Sequence, residues 1–147
     1  MNEINIFYAD DDEDDLMFFY DAVENVSKIT QKFISLHIHK NGENLLNSIK
    51  DNISKKGVVF LDINMPKKSG FDFLKEIRNE LCTYQIPVII YSTSSNKSDI
   101  ELSYSLGANY FVIKPYKFND LIKMIHKIIE INWDNNPMDM NNFVLIK

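Results

Sequence analysis

Five short apolar runs recur along the chain, and longer segments with helical periodicity separate them. We interpret the runs as strands at Ile4 to Ala9, Phe33 to His39, Val58 to Leu61, Pro87 to Tyr91 and Tyr110 to Ile113. Runs this short and apolar are typical of strands buried on both faces of a parallel sheet. The alternation therefore predicts an α/β fold with a doubly wound, five-stranded parallel sheet.

The segments between the runs predict five helices. The first carries apolar side chains at helical spacing, namely Leu16, Phe19, Tyr20, Val23 and Val26. The others lie around Glu43 to Ile53, across Phe71, Leu74 and Ile77, from about Lys97 to Leu106, and from about Asn119 to Ile131. The fourth has the weakest apolar face, with Ile100 and Leu106 as its main anchors, and Gly107 is suited to cap it.

The 147 residues fit one compact domain, which we expect at 1–132, followed by a tail at 133–147. The tail begins with a loop-like Trp-Asp-Asn-Asn-Pro stretch and carries an apolar run at Phe143 to Ile146. Such a run should pack on its own domain or on a second chain, so a homodimer is one expectation.

Charge and composition disfavour several classes of function. The net charge is −5, and Arg78 is the single arginine among sixteen basic residues, which disfavours binding to nucleic acid. No apolar run approaches the roughly 20 residues that cross a bilayer. The start of the chain lacks the basic residues of a secretory signal, and Cys82 is the sole cysteine. These features predict a cytoplasmic protein without an internal disulfide.

Polar residues stand where four of the predicted strands end. Asp10 and Asp11 end the first strand, Asp62 the third, Ser92 the fourth and Lys114 the fifth. Because ligands of open parallel sheets bind at the carboxyl ends of the strands, we expect these side chains to meet at one edge.

Three carboxylates at one edge repel each other unless a hard divalent cation such as Mg²⁺ bridges them. Lys114 and Ser92 could then contact the oxygens of a phosphoryl group, and a carboxylate is a known nucleophile that forms aspartyl phosphate. Asp62 is the candidate because its strand is central.

Structural roles compete with these assignments. Asp12 to Asp15 are explained well as the cap and first-turn charges of a helix. His37 and His39 share one strand face without obvious partners and are interpreted as sheet residues. Asp10, Asp12 and Asp14 have the spacing of a calcium loop, but Asp15 stands where that loop needs glycine.

Four segments together resemble the response-regulator receiver family, which has the fold of the chemotaxis regulators. They are Ile-Phe-Tyr-Ala-Asp-Asp-Asp at 6–12, Val-Phe-Leu-Asp-Ile-Asn-Met-Pro at 59–66, Pro-Val-Ile-Ile-Tyr-Ser at 87–92 and Gly-Ala-Asn-Tyr-Phe-Val-Ile-Lys-Pro at 107–115. The resemblance covers residues 4–131. The acid-rich start and the stretch at 64–70 look like small stand-alone receivers akin to phytochrome-linked regulators.

The resemblance implies a flavodoxin-like fold with strand order 2-1-3-4-5 and a set of site residues. Asp62 would be the phosphoacceptor, Lys114 would contact the phosphoryl group, and Ser92 would be the switch hydroxyl. Magnesium would be held by Asp10, Asp11, Asp62 and the backbone carbonyl of Asn64. Phe111 falls at the family's switch aromatic, with Tyr110 as the fallback.

The family also implies a role in a two-component system. A sensor histidine kinase or a phosphotransfer protein would supply the phosphoryl group. The 15 residues at 133–147 are too few for an output domain, so the chain would signal by contacting an unknown downstream protein, or relay phosphate. Thr93 stands where the family usually has a smaller residue, which leaves the dephosphorylation rate open.

Two rival functions compete with this interpretation. A haloacid-dehalogenase-type phosphatase would use Asp10, Asp12, Ser92 and Lys114, but it leaves Asp62 without a role. A receiver that no longer cycles phosphate would be a plain binding module, although all the site residues are present. The favoured interpretation is a signalling protein rather than an enzyme, one that promotes its own phosphorylation and dephosphorylation.

Overall fold

The computed structural model describes residues 3–80, 86–136 and 139–145. Within these ranges five parallel strands form one sheet in the order β2-β1-β3-β4-β5, which confirms the predicted topology. The strands are β1 Glu3–Asp10, β2 Phe33–Lys40, β3 Gly57–Leu61, β4 Val88–Ser92 and β5 Tyr110–Ile113. Cys82 and Ile146 lie outside the described residues.

Five helices cover the two faces of the sheet. They are α1 Glu13–Thr30, α2 Leu45–Asp51, α3 Gly70–Glu80, α4 Lys97–Ser105 and α5 Phe118–Glu130. One buried cluster joins the sheet to α1 and α5, and a second joins it to α2, α3 and α4. None of the helices in the described ranges is long and apolar enough to cross a membrane.

Two details of the predicted helices were wrong. Tyr20 is 45% exposed, because it lies one residue past the buried Phe19 and so turns away from the sheet. The second helix begins at Leu45 rather than near Glu43. Left-handed backbone at Asn41, Gly42 and Asn44 keeps the chain in turns until that point.

The register of the strands aligns the ends that carry the polar residues. Ala9 pairs with Leu61, so Asp10 and Asp62 come next on neighbouring strands. Ser92 pairs with Ile113, which puts Lys114 one residue further along β5. The sheet therefore brings four of the predicted site residues to one edge.

The tail folds back onto its own domain. Phe143 is buried, and Val144 forms a parallel bridge with Phe111 on the outer edge of β5. Of the two predicted outcomes for the apolar run, packing on the same domain is the one found for residues 143–145.

Candidate functional site

Three acidic side chains meet at the carboxyl edge of the sheet. Asp10 is the last residue of β1, Asp11 follows it, and Asp62 follows β3. One carboxylate oxygen from each lies within 4.8 Å of the other two. Asp10 and Asp62 are 0% and 6% exposed, whereas Asp11 is open to solvent. Three of the four predicted metal ligands, the carboxylates, therefore come together with one open side.

Lys114 binds these acids from the end of β5. Its Nζ donates to Oδ2 of Asp10 and to Oδ2 of Asp15, at 2.8 Å each, and lies 3.6 Å from Oδ1 of Asp62. The ammonium group is nearly buried. It is thus held mainly by Asp10 and Asp15, while Asp62 is its more distant neighbour.

The two buried carboxyl groups differ in their pKa. Burial alone would raise the pKa of Asp10, but hydrogen bonds from Lys114 and the Tyr8 hydroxyl outweigh it and lower the pKa. Burial, together with the nearby charge of Asp10, raises the pKa of Asp62 to about 7 although Lys114 opposes the shift. Asp10 therefore keeps the negative charge, and Asp62 is the group that holds a proton most readily.

The pKa of Lys114 follows from the same contacts. Burial alone would lower it, but the hydrogen bonds to Asp10 and Asp15 outweigh burial and raise the pKa. The amine stays protonated and supplies a positive charge beside the acids. A third proton on Nζ remains for a further acceptor.

Tyr8 and Asp15 are site residues that the sequence analysis missed. Asp15 was interpreted only as a first-turn charge of α1, yet it accepts a hydrogen bond from Lys114. Its spacing of four residues from the buried Phe19 put it on the inner face of the helix. Tyr8 lies two residues before Asp10 on β1, so both side chains point to the same face.

Asp12 has a structural role. Its carboxylate caps α1 by accepting hydrogen bonds from the backbone N–H groups of Asp14 and Asp15. A phosphatase that used Asp10 and Asp12 together would need both carboxylates in the site. The cap therefore argues against that rival function.

Ser92 is fully buried at the end of β4. Its Oγ accepts a hydrogen bond from the backbone N–H of Ser94 at 3.1 Å, which leaves the hydroxyl hydrogen for another acceptor. The Ser92 carbonyl accepts from the N–H of Lys114 at 2.8 Å. The ends of β4 and β5 are thus joined directly. Phe111, three residues before Lys114, is fully buried, and Tyr110 is half-buried.

The backbone around Asp62 is closely packed. Its N–H donates to the carbonyl of Ala9, and the Gly70 N–H donates to the carbonyl of Ile63. A Cβ at Gly70 would lie 2.1 Å from the Asp62 carbonyl oxygen, so only glycine fits at the start of α3. Asn64 lies in the exposed loop between these two points.

The donor set fits a hard divalent cation. The three carboxylates offer oxygen ligands within a small space, and burial together with the charge of Asp10 raises the pKa of Asp62, so a cation bound there would favour its ionised form. Oxygen ligands of this kind suit Mg²⁺, Mn²⁺ or Ca²⁺. The fold and the site together define a class of protein, an α/β domain with a cluster of three carboxylates that suits a divalent cation, beside a buried lysine.

Comparison with known proteins places the chain within this class. The profile of the response regulator receiver domain matches residues 6–126. The chain belongs to this family and is a receiver domain of the two-component response regulators.

Two curated relatives illustrate the likeness. The chain is 36% identical over 78 residues to response regulator Rcp1 of Synechocystis sp., covering 53% of each chain. It is 33% identical over 82 residues to the probable methanogenesis regulatory protein FilR2 of Methanothrix harundinacea, covering 54% of this chain and 53% of that one. The matches thus span about half the length of these relatives.

Solved structures agree with the fold. The phosphorylated cyanobacterial phytochrome response regulator RcpA is 27% identical with a TM-score of 0.69, and the match covers 86% of this chain and 91% of that one. The Mn²⁺-bound form of response regulator Rcp1 has a TM-score of 0.69 at 24% identity, covering 92% and 98%. The latter likeness shows the fold alone.

Proposed function

We propose that the chain is a response regulator that accepts a phosphoryl group on Asp62 with the help of Mg²⁺. The observation that carries the proposal is the position of Asp62. It is a buried carboxyl with a pKa raised to about 7, within reach of two acids and a protonated lysine. A carboxylate can bond to an anionic phosphoryl group only where nearby positive charge offsets the repulsion between the two.

Asp10, Asp11, Asp62 and the Asn64 carbonyl are the proposed ligands of the metal. When bound, Mg²⁺ would neutralise the acids and the oxygens of the incoming phosphoryl group. An Asp62 oxygen attacks the phosphorus of a phosphohistidine, and the P–N bond breaks. The electron pair leaves with the imidazole nitrogen, which takes up a proton.

Lys114 and Ser92 have separate roles in this proposal. The third proton of the Lys114 ammonium reaches a phosphoryl oxygen, since Asp10 and Asp15 occupy the other two. Ser92 donates its hydroxyl hydrogen to another phosphoryl oxygen. Ser92 and Phe111 then form the switch. The loop after β4 moves inward with Ser92, and the aromatic ring of Phe111 moves with the loop.

The proposed partners follow from the chemistry of the transfer. The donor is a sensor histidine kinase or a phosphotransfer protein in the cytoplasm, and the downstream target is a protein. The proposal also divides the chain into a receiver at 1–132 and a tail at 133–147. It further includes autodephosphorylation by water and the formation of a homodimer.

Intact-mass measurement with a small phosphodonor tests the acceptor. Acetyl phosphate and Mg²⁺ should add one phosphoryl group to the wild-type chain, and EDTA should block the reaction. Asp62→Asn should abolish the adduct. The matched control is Asp14→Asn, which changes an exposed acid near the same edge and should react as wild type does. A phosphorylated Asp62→Asn variant would refute the assignment.

A further inference from the structure

A buried hydroxyl group lies beside the acidic cluster. Tyr8 and Asp10 are both 0% exposed, and the Tyr8 hydroxyl donates a hydrogen bond to Oδ2 of Asp10. The Tyr8 ring packs on Phe19 of α1, with ring centroids 4.3 Å apart, and meets Tyr91 of β4 edge-on at 5.6 Å. These ring contacts hold the phenol in place, so its hydroxyl stays on one particular oxygen of Asp10.

The hydrogen bonds of Asp10 make its two carboxylate oxygens unequal. An ionised carboxylate has about four lone-pair sites, two on each oxygen. Oδ2 accepts from the Tyr8 hydroxyl and, at 2.8 Å, from Nζ of Lys114, so both of its sites are filled. Oδ1 accepts from the backbone N–H of Asp12 at 3.1 Å. The hydrogen bonds within the described part of the chain therefore leave one site, on Oδ1, for a cation.

Divalent cations differ in how they use a carboxylate. Ca²⁺ gathers about six to eight oxygen ligands and takes either one or both oxygens of a carboxylate. Mg²⁺ is smaller, requires nearly octahedral geometry, and keeps several waters beside one or two carboxylates. A site in which Asp10 offers a single oxygen therefore suits Mg²⁺ better than it suits Ca²⁺.

We infer that Tyr8 is a positioning residue that sets the metal preference of the site, because its hydroxyl occupies Oδ2 of Asp10 and limits this carboxylate to one oxygen for the cation. A phenylalanine ring would fill the core equally well, so the hydroxyl is the part of Tyr8 that acts on the site. The inference rests on the metal part of the proposed function. It goes beyond that part by stating which residue makes the site choose Mg²⁺ over Ca²⁺.

Tyr8→Phe removes the hydroxyl and keeps the ring. It frees one site on Oδ2, which Ca²⁺ can use as a second oxygen of Asp10, whereas the octahedral geometry of Mg²⁺ does not accommodate it. The lost donor also leaves more negative charge on Asp10, but that charge attracts both cations alike and cancels from the ratio of their affinities. The ratio of the Kd for Ca²⁺ to the Kd for Mg²⁺ should therefore fall about tenfold, the scale of one hydrogen bond to a charged group.

Calorimetric titration of the full chain with MgCl₂ and with CaCl₂, after treatment with a chelator, measures both constants. Tyr91→Phe is the matched control, because it deletes a hydroxyl from the same cluster of rings while the bond to Asp10 comes from Tyr8. Its ratio should equal that of wild type. Tyr8→Leu removes the hydroxyl together with the ring, so it should lower the free energy of unfolding in urea and still shift the ratio as Tyr8→Phe does.

The ratio separates a role in metal choice from a role in packing, because a loosened core weakens the binding of both cations and leaves their ratio unchanged. An unchanged ratio in both Tyr8 variants, or an equal fall in Tyr91→Phe, would overturn the inference and leave the proposed metal site standing. Wild type that binds Ca²⁺ as tightly as Mg²⁺ would have the same consequence. Failure of wild type to bind either cation would instead overturn the proposed metal site, and the inference with it.

Discussion

Asp62→Asn should stabilise the metal-free protein, and the gain should grow with pH. The Asp62 carboxyl has a pKa of about 7 in the folded chain, against an ordinary value of 3.8, because burial and the charge of Asp10 disfavour its ionised form. A raised pKa means that the folded state binds this proton more tightly than the unfolded state does. Stability is therefore lost as pH rises from about 4 to about 7, and the full loss applies above that range.

The size of the effect follows from the shift. About three pKa units at 1.36 kcal/mol each set an upper limit of about 4 kcal/mol at pH 8. A pH of 5 is only about one unit above the ordinary pKa of the carboxyl, so the loss of stability at pH 5 is about 1–2 kcal/mol. Asparagine keeps the shape of the side chain but carries no charge. At pH 8, the free energy of unfolding of the variant should therefore exceed that of wild type by about 2–4 kcal/mol. At pH 5, this excess should be about 2 kcal/mol smaller.

Urea unfolding in the presence of EDTA, at pH 5 and pH 8, measures both values. Adding excess Mg²⁺ at pH 8 should narrow the difference, because the wild-type carboxylate then has a cation beside it and the asparagine does not. Asp14→Asn serves as the control for removing an exposed acid and should change little at either pH. The reasoning fails if Asp62→Asn is less stable than wild type at pH 8, or if its advantage is the same at both pH values.

Three other changes test the neighbouring parts of the site. Asp11→Ala removes an exposed carboxylate from the three acids and should weaken Mg²⁺ binding about tenfold by calorimetry, and an unchanged affinity would remove Asp11 from the metal site. Gly70→Ala would place a methyl group against the Asp62 carbonyl, so it should cost about 1–3 kcal/mol in urea unfolding and slow phosphorylation by acetyl phosphate. Ser92→Ala should still bind beryllofluoride, an aspartyl-phosphate mimic, but it should lose most of the NMR shifts that the mimic causes in β5. Shifts as large as those of wild type would contradict the proposed switch.

The strands were predictable because each is a short apolar run that ends abruptly in polar residues. The register then follows from the parallel topology, and it brings Asp10, Asp62, Ser92 and Lys114 to one edge as the sequence indicated. The start of α2 was less predictable. It depends on three left-handed residues, and a motif such as Asn41-Gly42 shows that a turn occurs without showing how long it continues.

The distribution of charge within the site required coordinates. The sequence indicated that Lys114 would be near Asp62, but the structure holds it closer to Asp10 and Asp15. The charge stays on Asp10 rather than Asp62 because the two carboxylates differ by less than 1 Å in their distance from Lys114 and because the Tyr8 hydroxyl bonds to Asp10. The pattern of polar residues at strand ends indicates neither of these contacts. The position of the tail also required coordinates, because its apolar residues predicted burial but did not indicate that the tail would lie at the β5 edge.

The four residues of β5 connect the acidic site to the tail. One end leads into Lys114, which is hydrogen-bonded through its side chain to Asp10 and through its backbone to Ser92. The middle of the strand holds Phe111, whose backbone N–H and carbonyl are paired with Phe143 and Leu145 of the tail. In the proposed switch, a phosphoryl group would draw Lys114 and Ser92 inward and so pull on the end of β5. If that movement changes the free energy with which the tail docks on β5, the docked tail changes the affinity of the site for the phosphoryl group by the corresponding factor. The acidic site and the tail are therefore linked through one element, β5.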